Sequence, residues 1–231
     1  METVRVASYN IHHAQGTDNR INLNRVAAVL ACSGAQLMGL QEVDKYLPRS
    51  CFRHQARRLG KLLQRQWVYG STLKWSPAKY GNAVLSRWPI VKWENHLLTS
   101  TGEQRGLIEA IINIRGVPPI AFYCTHLGLS KMERKKQAQE VLDIIFKKRY
   151  PSILVGDFNS DRNSPEYELI TSFLQDATGI ARALKTFPAQ KPEEQLDFIF
   201  VSHEWEVMSA FTVESQASDH LAVICDIRLI K

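Results

Sequence analysis

Five strand-like apolar runs crowd the middle of the chain, at Trp67–Thr72, Asn82–Ser86, Ile90–Leu98, Leu107–Ile114 and Ile120–Thr125. Gly116-Val-Pro-Pro119 reads as the turn between the last two. Upstream, Val4, Val6 and Ser8 alternate with Arg5, Ala7 and Tyr9, which predicts a strand ending at Asn10. Asn22 predicts a helix cap, with Leu23, Val26, Ala27 and Leu30 on one face and Gly34 near the end. A second helix is expected through about Phe52 to Gln64. Ser130-Lys-Met-Glu133 reads as a capping box opening a third, whose face is Ala138, Val141, Leu142 and Ile145 and whose end is marked by Pro151. Ser152–Val155 is a buried strand broken at Gly156-Asp157. A short helix near Pro165–Leu174 and strands near Leu196–Val201, Glu206–Val213 and Leu221–Leu229 complete the chain. This is neither strict βαβ alternation nor an all-β pattern. It suggests an α+β arrangement of two stacked sheets covered by helices.

The 231 residues, 45% of them hydrophobic, suffice for one large domain, and no Pro/Gly/Ser-rich linker, repeat or low-complexity stretch divides them. A single domain over 1–231 is expected, as a monomer. No secretory signal pattern opens the chain, and no run approaches the roughly 18 apolar residues of a membrane span. Cys32, Cys51, Cys124 and Cys225 form no Cys-x-x-Cys pair, which favours free thiols in a reducing compartment, hence a cytoplasmic protein. The net charge of +6 gathers largely in Arg53–Arg65 and Lys131–Arg149. A polyanionic partner explains these segments, and so do amphipathic helices with solvated outer faces.

Polar side chains stand at the edges of the apolar runs. Asp157 and Asn159 are two apart, so in extended chain they face one pocket while Phe158 points into packing. The carboxylate can take a proton from water and the amide can orient that water, although an Asx-type turn would use the same residues. Glu42 closes the run Leu37–Leu40 and is a suitable hard oxygen ligand for Mg²⁺ or Mn²⁺, with Asn10 as a neutral oxygen. His126 follows one apolar run and His220 precedes another. Either imidazole can donate to a phosphate oxygen, and Asp197 is a candidate to orient His220. His12 and His13 follow Asn10, and His13 is a minor candidate for the same pocket. Arg105 is placed to clamp a phosphate, or to pair with Glu103 or Glu109. Trp75 and Tyr80, in an expected loop, could stack on a base or simply pack.

The motifs Ser8-Tyr-Asn10, Gln41-Glu42, Thr125-His-Leu127, Gly156-Asp-Phe-Asn159, Leu196-Asp-Phe198 and Ser218-Asp-His220, in this order, resemble those of the endonuclease/exonuclease/phosphatase superfamily. The resemblance implies a four-layer α/β/β/α sandwich of two mixed β-sheets flanked by helices, with the motif residues converging at one rim. It implies Mg²⁺ or Mn²⁺ held by Glu42 with Asn10 and Asp219 nearby. Asp157 would align the attacking water beside Asn159. His220, oriented by Asp197, and His126 would contact the phosphate, with Arg105 as a further phosphate contact. The expected activity is hydrolysis of phosphate esters, most of all a phosphodiesterase or nuclease-type reaction, with nucleic acid or a lipid headgroup as substrate. The alternatives are a phosphomonoesterase on a soluble or inositol phosphate, a sphingomyelinase-like enzyme and a silent binding protein.

Overall fold

In β1 (Thr3–Asn10) successive side chains serve two different cores: Val4 and Val6 face one, Ala7 and Tyr9 the other. That division repeats through a computed structural model that describes residues 3–181 and 184–230, with only the backbone at Lys74 and Trp75. The other strands are β2 (Leu37–Lys45), β3 (Gln66–Trp75), β4 (Ala78–Ser86), β5 (Ile90–Leu97), β6 (Gly106–Ile112), β7 (Ile120–His126), β8 (Ser152–Asp157), β9 (Gln175–Asp176), β10 (Asp197–Val201), β11 (Trp205–Val213) and β12 (Ala222–Leu229). The helices are α1 (Leu23–Ser33), α2 (Gln55–Leu63), α3 (Lys131–Phe146) and α4 (Pro165–Thr171).

The strands form two six-stranded sheets, ordered β11-β12-β1-β2-β4-β3 and β5-β6-β7-β8-β10-β9. Each has one parallel pair at its centre, β1 with β2 and β7 with β8, and antiparallel neighbours elsewhere, so both are mixed. The facing surfaces pack Val4, Val6 and Val223 against Phe122, Val155 and Ile199. The sheets approach closely at Gly39, where a Cβ would lie 2.2 Å from Val155 Cγ2. Outside the first sheet, Val26 and Leu30 of α1 and Leu59 of α2 cover Tyr9, Met38 and Leu40. Outside the second, Ala138, Val141 and Leu142 of α3 and Ile170 of α4 cover Tyr123, Leu154 and Phe198. The result is the expected four-layer α/β/β/α sandwich, with central strands such as β1, β7 and β8 burying both faces by their period of two.

Several local expectations hold in detail. Asn22 Oδ1 accepts from Asn24 N at 3.0 Å, and Gly34 ends α1 at φ 69°, the left-handed conformation glycine adopts without strain. Others are corrected. No side-chain cap forms at Ser130, because Glu133 turns its carboxylate to Thr101 and to the Gly102 amide, fastening the loop before β6. The segment Trp75–Tyr80 is the tight end of the β3–β4 hairpin, and Tyr80 is buried in β4. The Trp75 side chain lies outside the described residues. Within the basic stretch of α3, Arg134 is buried and ion-paired with buried Glu166. Cys32 and Cys51 are exposed, Cys124 and Cys225 buried, and all four are free.

Candidate active site

The apolar rows between the sheets end in polar residues at one rim. Along β1 the inward row is Val4, Val6, Ser8 and Asn10; along β7 it is Phe122, Cys124 and His126; along β8 it is Ile153, Val155 and Asp157. On β10, which runs oppositely to β8, the row begins at Asp197 and continues through Ile199. Register then sets the site across the second sheet: Gly106 pairs with His126, His126 with Asp157, and Asp157 with Asp197. Three candidate site residues from three neighbouring strands thus share one row.

Glu42 reaches this rim by a different device. It lies within β2, where the pairing with β4 slips between Leu40 and Val43, and it adopts φ 59°. An extra residue in one strand re-aims the side chains around it. Gln41 stays on the inward row, bonded to Cys124 Sγ at 3.3 Å, while Glu42 turns into the pocket. Asn10 links the two sheets. Its amide donates to Glu42 Oε1 at 3.0 Å and to Asp157 Oδ2 at 2.9 Å, and its oxygen accepts from His12 N at 3.0 Å. Asp157 Oδ1 accepts from Asn159 N at 2.9 Å, so the Asx turn and the pocket use the same carboxylate. That turn places Asn159 at φ 49° and aims its amide at His126 Nε2, 2.9 Å away, and at Leu127 O.

Two buried imidazoles present Nε2 to Asp157 Oδ2, His126 at 3.5 Å and His220 at 3.7 Å. Their second nitrogens meet opposite partners. His220 Nδ1 lies 2.8 Å from Asp197 Oδ2. Burial opposes its charge, but Asp197, with Asp157 and Asp219, outweighs burial and the pKa is pushed up to about 10. His126 Nδ1 lies 3.2 Å from Arg105 Nη1. Burial, reinforced by Arg105 and His220, brings the His126 pKa down to about 3 against the pull of Asp157. The Arg105 guanidinium faces Nδ1 and the Asn159 amide nitrogen faces Nε2, so both ring nitrogens of His126 meet donors and neither contact alone sets the tautomer. The site therefore sets an imidazole that favours its charged form beside one that favours its neutral form, with both Nε2 atoms facing Asp157 Oδ2.

Arg105 also pairs with Glu103 Oε1 at 2.8 Å, while Glu109 is taken by Lys148 and His96. Burial raises the Glu103 pKa and Arg105 opposes it. Asp219 Oδ1 lies 3.5 Å from His12 Nδ1. Ser218 ties the segment to β1, its hydroxyl donating to Asn10 O at 2.8 Å and accepting from His220 N at 3.3 Å. The structure gives two groups more weight than the sequence did. His13 comes within 4.0 Å of Glu42 Oε2. The Tyr80 phenol is held neutral by burial and by the Glu42 and Glu103 carboxylates. The His12-His13 pair after Asn10 is the sequence signal for the first; a tyrosine inside an ordinary strand carries no signal for the second.

A sandwich whose inward rows end in acids, amides and imidazoles at one rim defines a class, and comparison with known proteins gives it a family. The chain belongs to the Endonuclease/Exonuclease/phosphatase family, whose model matches residues 7–220. It is 32% identical over 150 residues to the protein YbhP of Escherichia coli (strain K12), a match covering 59% of this chain and 57% of YbhP. The fold is also that of the endonuclease/exonuclease/phosphatase from Beutenbergia cavernae, with a TM-score of 0.80 and 24% identity over 100% of this chain and 72% of that one. The mannosyl-6-phosphatase Bt3783 of Bacteroides thetaiotaomicron superposes with a TM-score of 0.83 and 22% identity over 98% of this chain and 100% of its own.

Proposed function

We propose that the chain is a divalent-metal-dependent phosphoric ester hydrolase that cleaves a phosphodiester by in-line attack of water. The observation that carries this reading is the convergence on Asp157 Oδ2 of the Asn10 amide at 2.9 Å, His126 Nε2 at 3.5 Å and His220 Nε2 at 3.7 Å. A carboxylate beside the Asn10 amide and two imidazoles can accept a proton from a water, while the charged His220 donates to the phosphate oxygens on which negative charge grows. Asp197 holds the His220 ring and its charge; Arg105 and Asn159 hold the His126 ring from its two sides.

The donor set suits a cation. Glu42 and Asp157 share one Asn10 amide between them; His220 lies 3.7 Å from Asp157, whereas Glu42 has His13 at 4.0 Å, beyond hydrogen-bond reach. Glu42 would hold Mg²⁺ or Mn²⁺, with Asn10 and Asp219 beside it. When bound, the ion would neutralise a phosphate oxygen and lower the barrier to attack. In the present geometry Asn10 turns its amide nitrogen to the carboxylates, and Asp219 approaches through His12, so both act first as positioning groups.

A diester needs room on both sides of phosphorus. One cavity, about 410 Å³, is lined by Asn159, Ser164, Lys131 and Arg134. Another, about 670 Å³, is lined by Leu221, which follows His220, and by Ala189, Ser215 and Lys185. Ala189 N donates to Asp219 O at 2.7 Å, which ties the second cavity to the site. Lys131 and Lys185 line these cavities beside Asp161, Glu194 and Glu214, and an anionic chain such as a nucleic acid would be met by the lysines. The free cysteines fit a reducing compartment such as the cytoplasm. No helix among the described residues is long and apolar enough to cross a membrane.

The test is turnover of bis-p-nitrophenyl phosphate against p-nitrophenyl phosphate, with Mg²⁺ and with Mn²⁺. Faster diester cleavage, abolished in Asp157→Ala and His220→Ala, is expected. A preference for the monoester would overturn the diester assignment, and no turnover with any divalent ion would overturn hydrolysis itself.

A further inference from the structure

His13 is placed for a task that hydrogen bonding does not explain. Its side chain is 8% exposed, and its Nδ1 is buried with no hydrogen-bond partner. Gln15 fixes the tautomer. The Gln15 amide nitrogen donates to Asn19 Oδ1 at 3.4 Å, which leaves its oxygen facing His13 Nε2, also at 3.4 Å. Nε2 therefore carries the proton, and the lone pair is on Nδ1. That lone pair faces the Glu42 carboxylate, with Nδ1 and Oε2 separated by 4.0 Å.

A lone pair and a carboxylate repel, and 4.0 Å is too long for a hydrogen bond to join them. Ligands about 2.0–2.2 Å from one transition-metal centre stand about 3–4.2 Å apart, depending on the angle at the ion, and 4.0 Å falls within that span towards its wide end. His13 is also held in place from behind. Gln55 Nε2 donates to His13 O at 2.7 Å, and Gln55 Oε1 accepts from Asp44 N at 2.8 Å, in the strand that carries Glu42. His12 stands beside it, its ring 4.4 Å from that of His13 and one of its nitrogens within 4.8 Å of both His13 and Glu42. Asp219 approaches the Nδ1 of His12 at 3.5 Å, where a carboxylate would orient a ligating ring.

We propose that His13 Nδ1 is a direct ligand of the cation at Glu42, with His12 beside it, so that the site selects a first-row transition metal over Mg²⁺. Two imidazoles and a carboxylate form a borderline donor set, which Mg²⁺ meets poorly and Mn²⁺, Co²⁺ or Zn²⁺ meets well. The inference rests on Glu42 being the metal site of the proposed hydrolase. It adds the chemistry by which that site chooses its ion.

Pulsed electron paramagnetic resonance of the Mn²⁺-loaded full chain tests it without turnover. The wild type is expected to show nitrogen coupling from imidazole, and His13→Gln to lose the stronger part of it. By calorimetry, Mn²⁺ affinity should fall about tenfold or more in His13→Gln while Mg²⁺ affinity changes less than about twofold. Because the wild-type spectrum needs no variant, a misfolded substitution does not spoil the test. If Glu42→Gln loses the metal but wild-type Mn²⁺ shows no nitrogen coupling, the ligand assignment is wrong and the metal site stands. If Glu42→Gln keeps full affinity for both ions, the metal site itself is wrong, and this inference goes with it.

Discussion

Asp197 Oδ2 lies 2.8 Å from His220 Nδ1, and both side chains are buried. The carboxylate sits on β10, in the register row of Asp157, while the imidazole arrives from the segment before β12. Replacing Asp197 with asparagine keeps the shape and removes the charge. The turnover rate should fall by about 10²–10⁴-fold, the range a positioned proton-transfer group contributes. The check is kcat in Asp197→Asn against wild type; loss confined to KM would contradict an orienting role.

The same pair shapes stability against pH. The folded-state pKa of His220 is raised from 6.5 to about 10, so its contribution is complete below about pH 6.5 and is lost as pH rises through about 10. His54 runs the other way. Burial, with Lys45 and Arg57, lowers its pKa to about 4, so its contribution is complete above about pH 6.5 and fades as pH falls to about 4. Urea midpoints should therefore peak near neutrality. His54→Gln should flatten the acid side and Asp197→Asn the alkaline side.

Gly39 marks a close approach of the two sheets. An added Cβ would meet Val155 Cγ2 at 2.2 Å and Cys124 Sγ at 3.0 Å. Gly39→Ala should destabilise by about 1–3 kcal/mol through overpacking, read from denaturant unfolding. A double variant with Val155→Ala should recover part of that loss.

Arg134 and Glu166 form a buried ion pair between α3 and α4, and Glu166 Oε2 has no partner. Arg134→Met strands a buried carboxylate and should cost about 3–5 kcal/mol. Arg134→Met with Glu166→Leu should restore most of it, because two apolar groups leave no charge behind. Equal losses in the single and double variants would argue against the pair.

The alternation of Val4, Val6 and Ser8 with Ala7 and Tyr9 is legible in the sequence, because burying both strand faces forces a period of two. The polar residues that end such rows, Asn10, His126 and Asp157, are legible for the same reason. Their partners are not. That His126 lies beside Asp157, and Asp157 beside Asp197, follows from strand order, which local pattern does not encode. Nor does a sequence announce the left-handed turn of His12, His13 and Ala14, at φ 42°, 43° and 67°, where no glycine stands as a signal. The failed cap at Ser130 has the same origin: a distant loop competed for Glu133 and won.

The row shared by His126, Asp157 and Asp197 has a consequence for how this molecule misfolds. Slipping β8 by a single residue would turn Asp157 away from the pocket and bury Phe158 where the carboxylate belongs. A chain in that state could keep its strands, its helices and much of its circular dichroism. It would carry no working centre. For the hydrolase proposed above, turnover per molecule is thus a measure of correct strand alignment, sensitive to an error of one residue that spectroscopic content would miss.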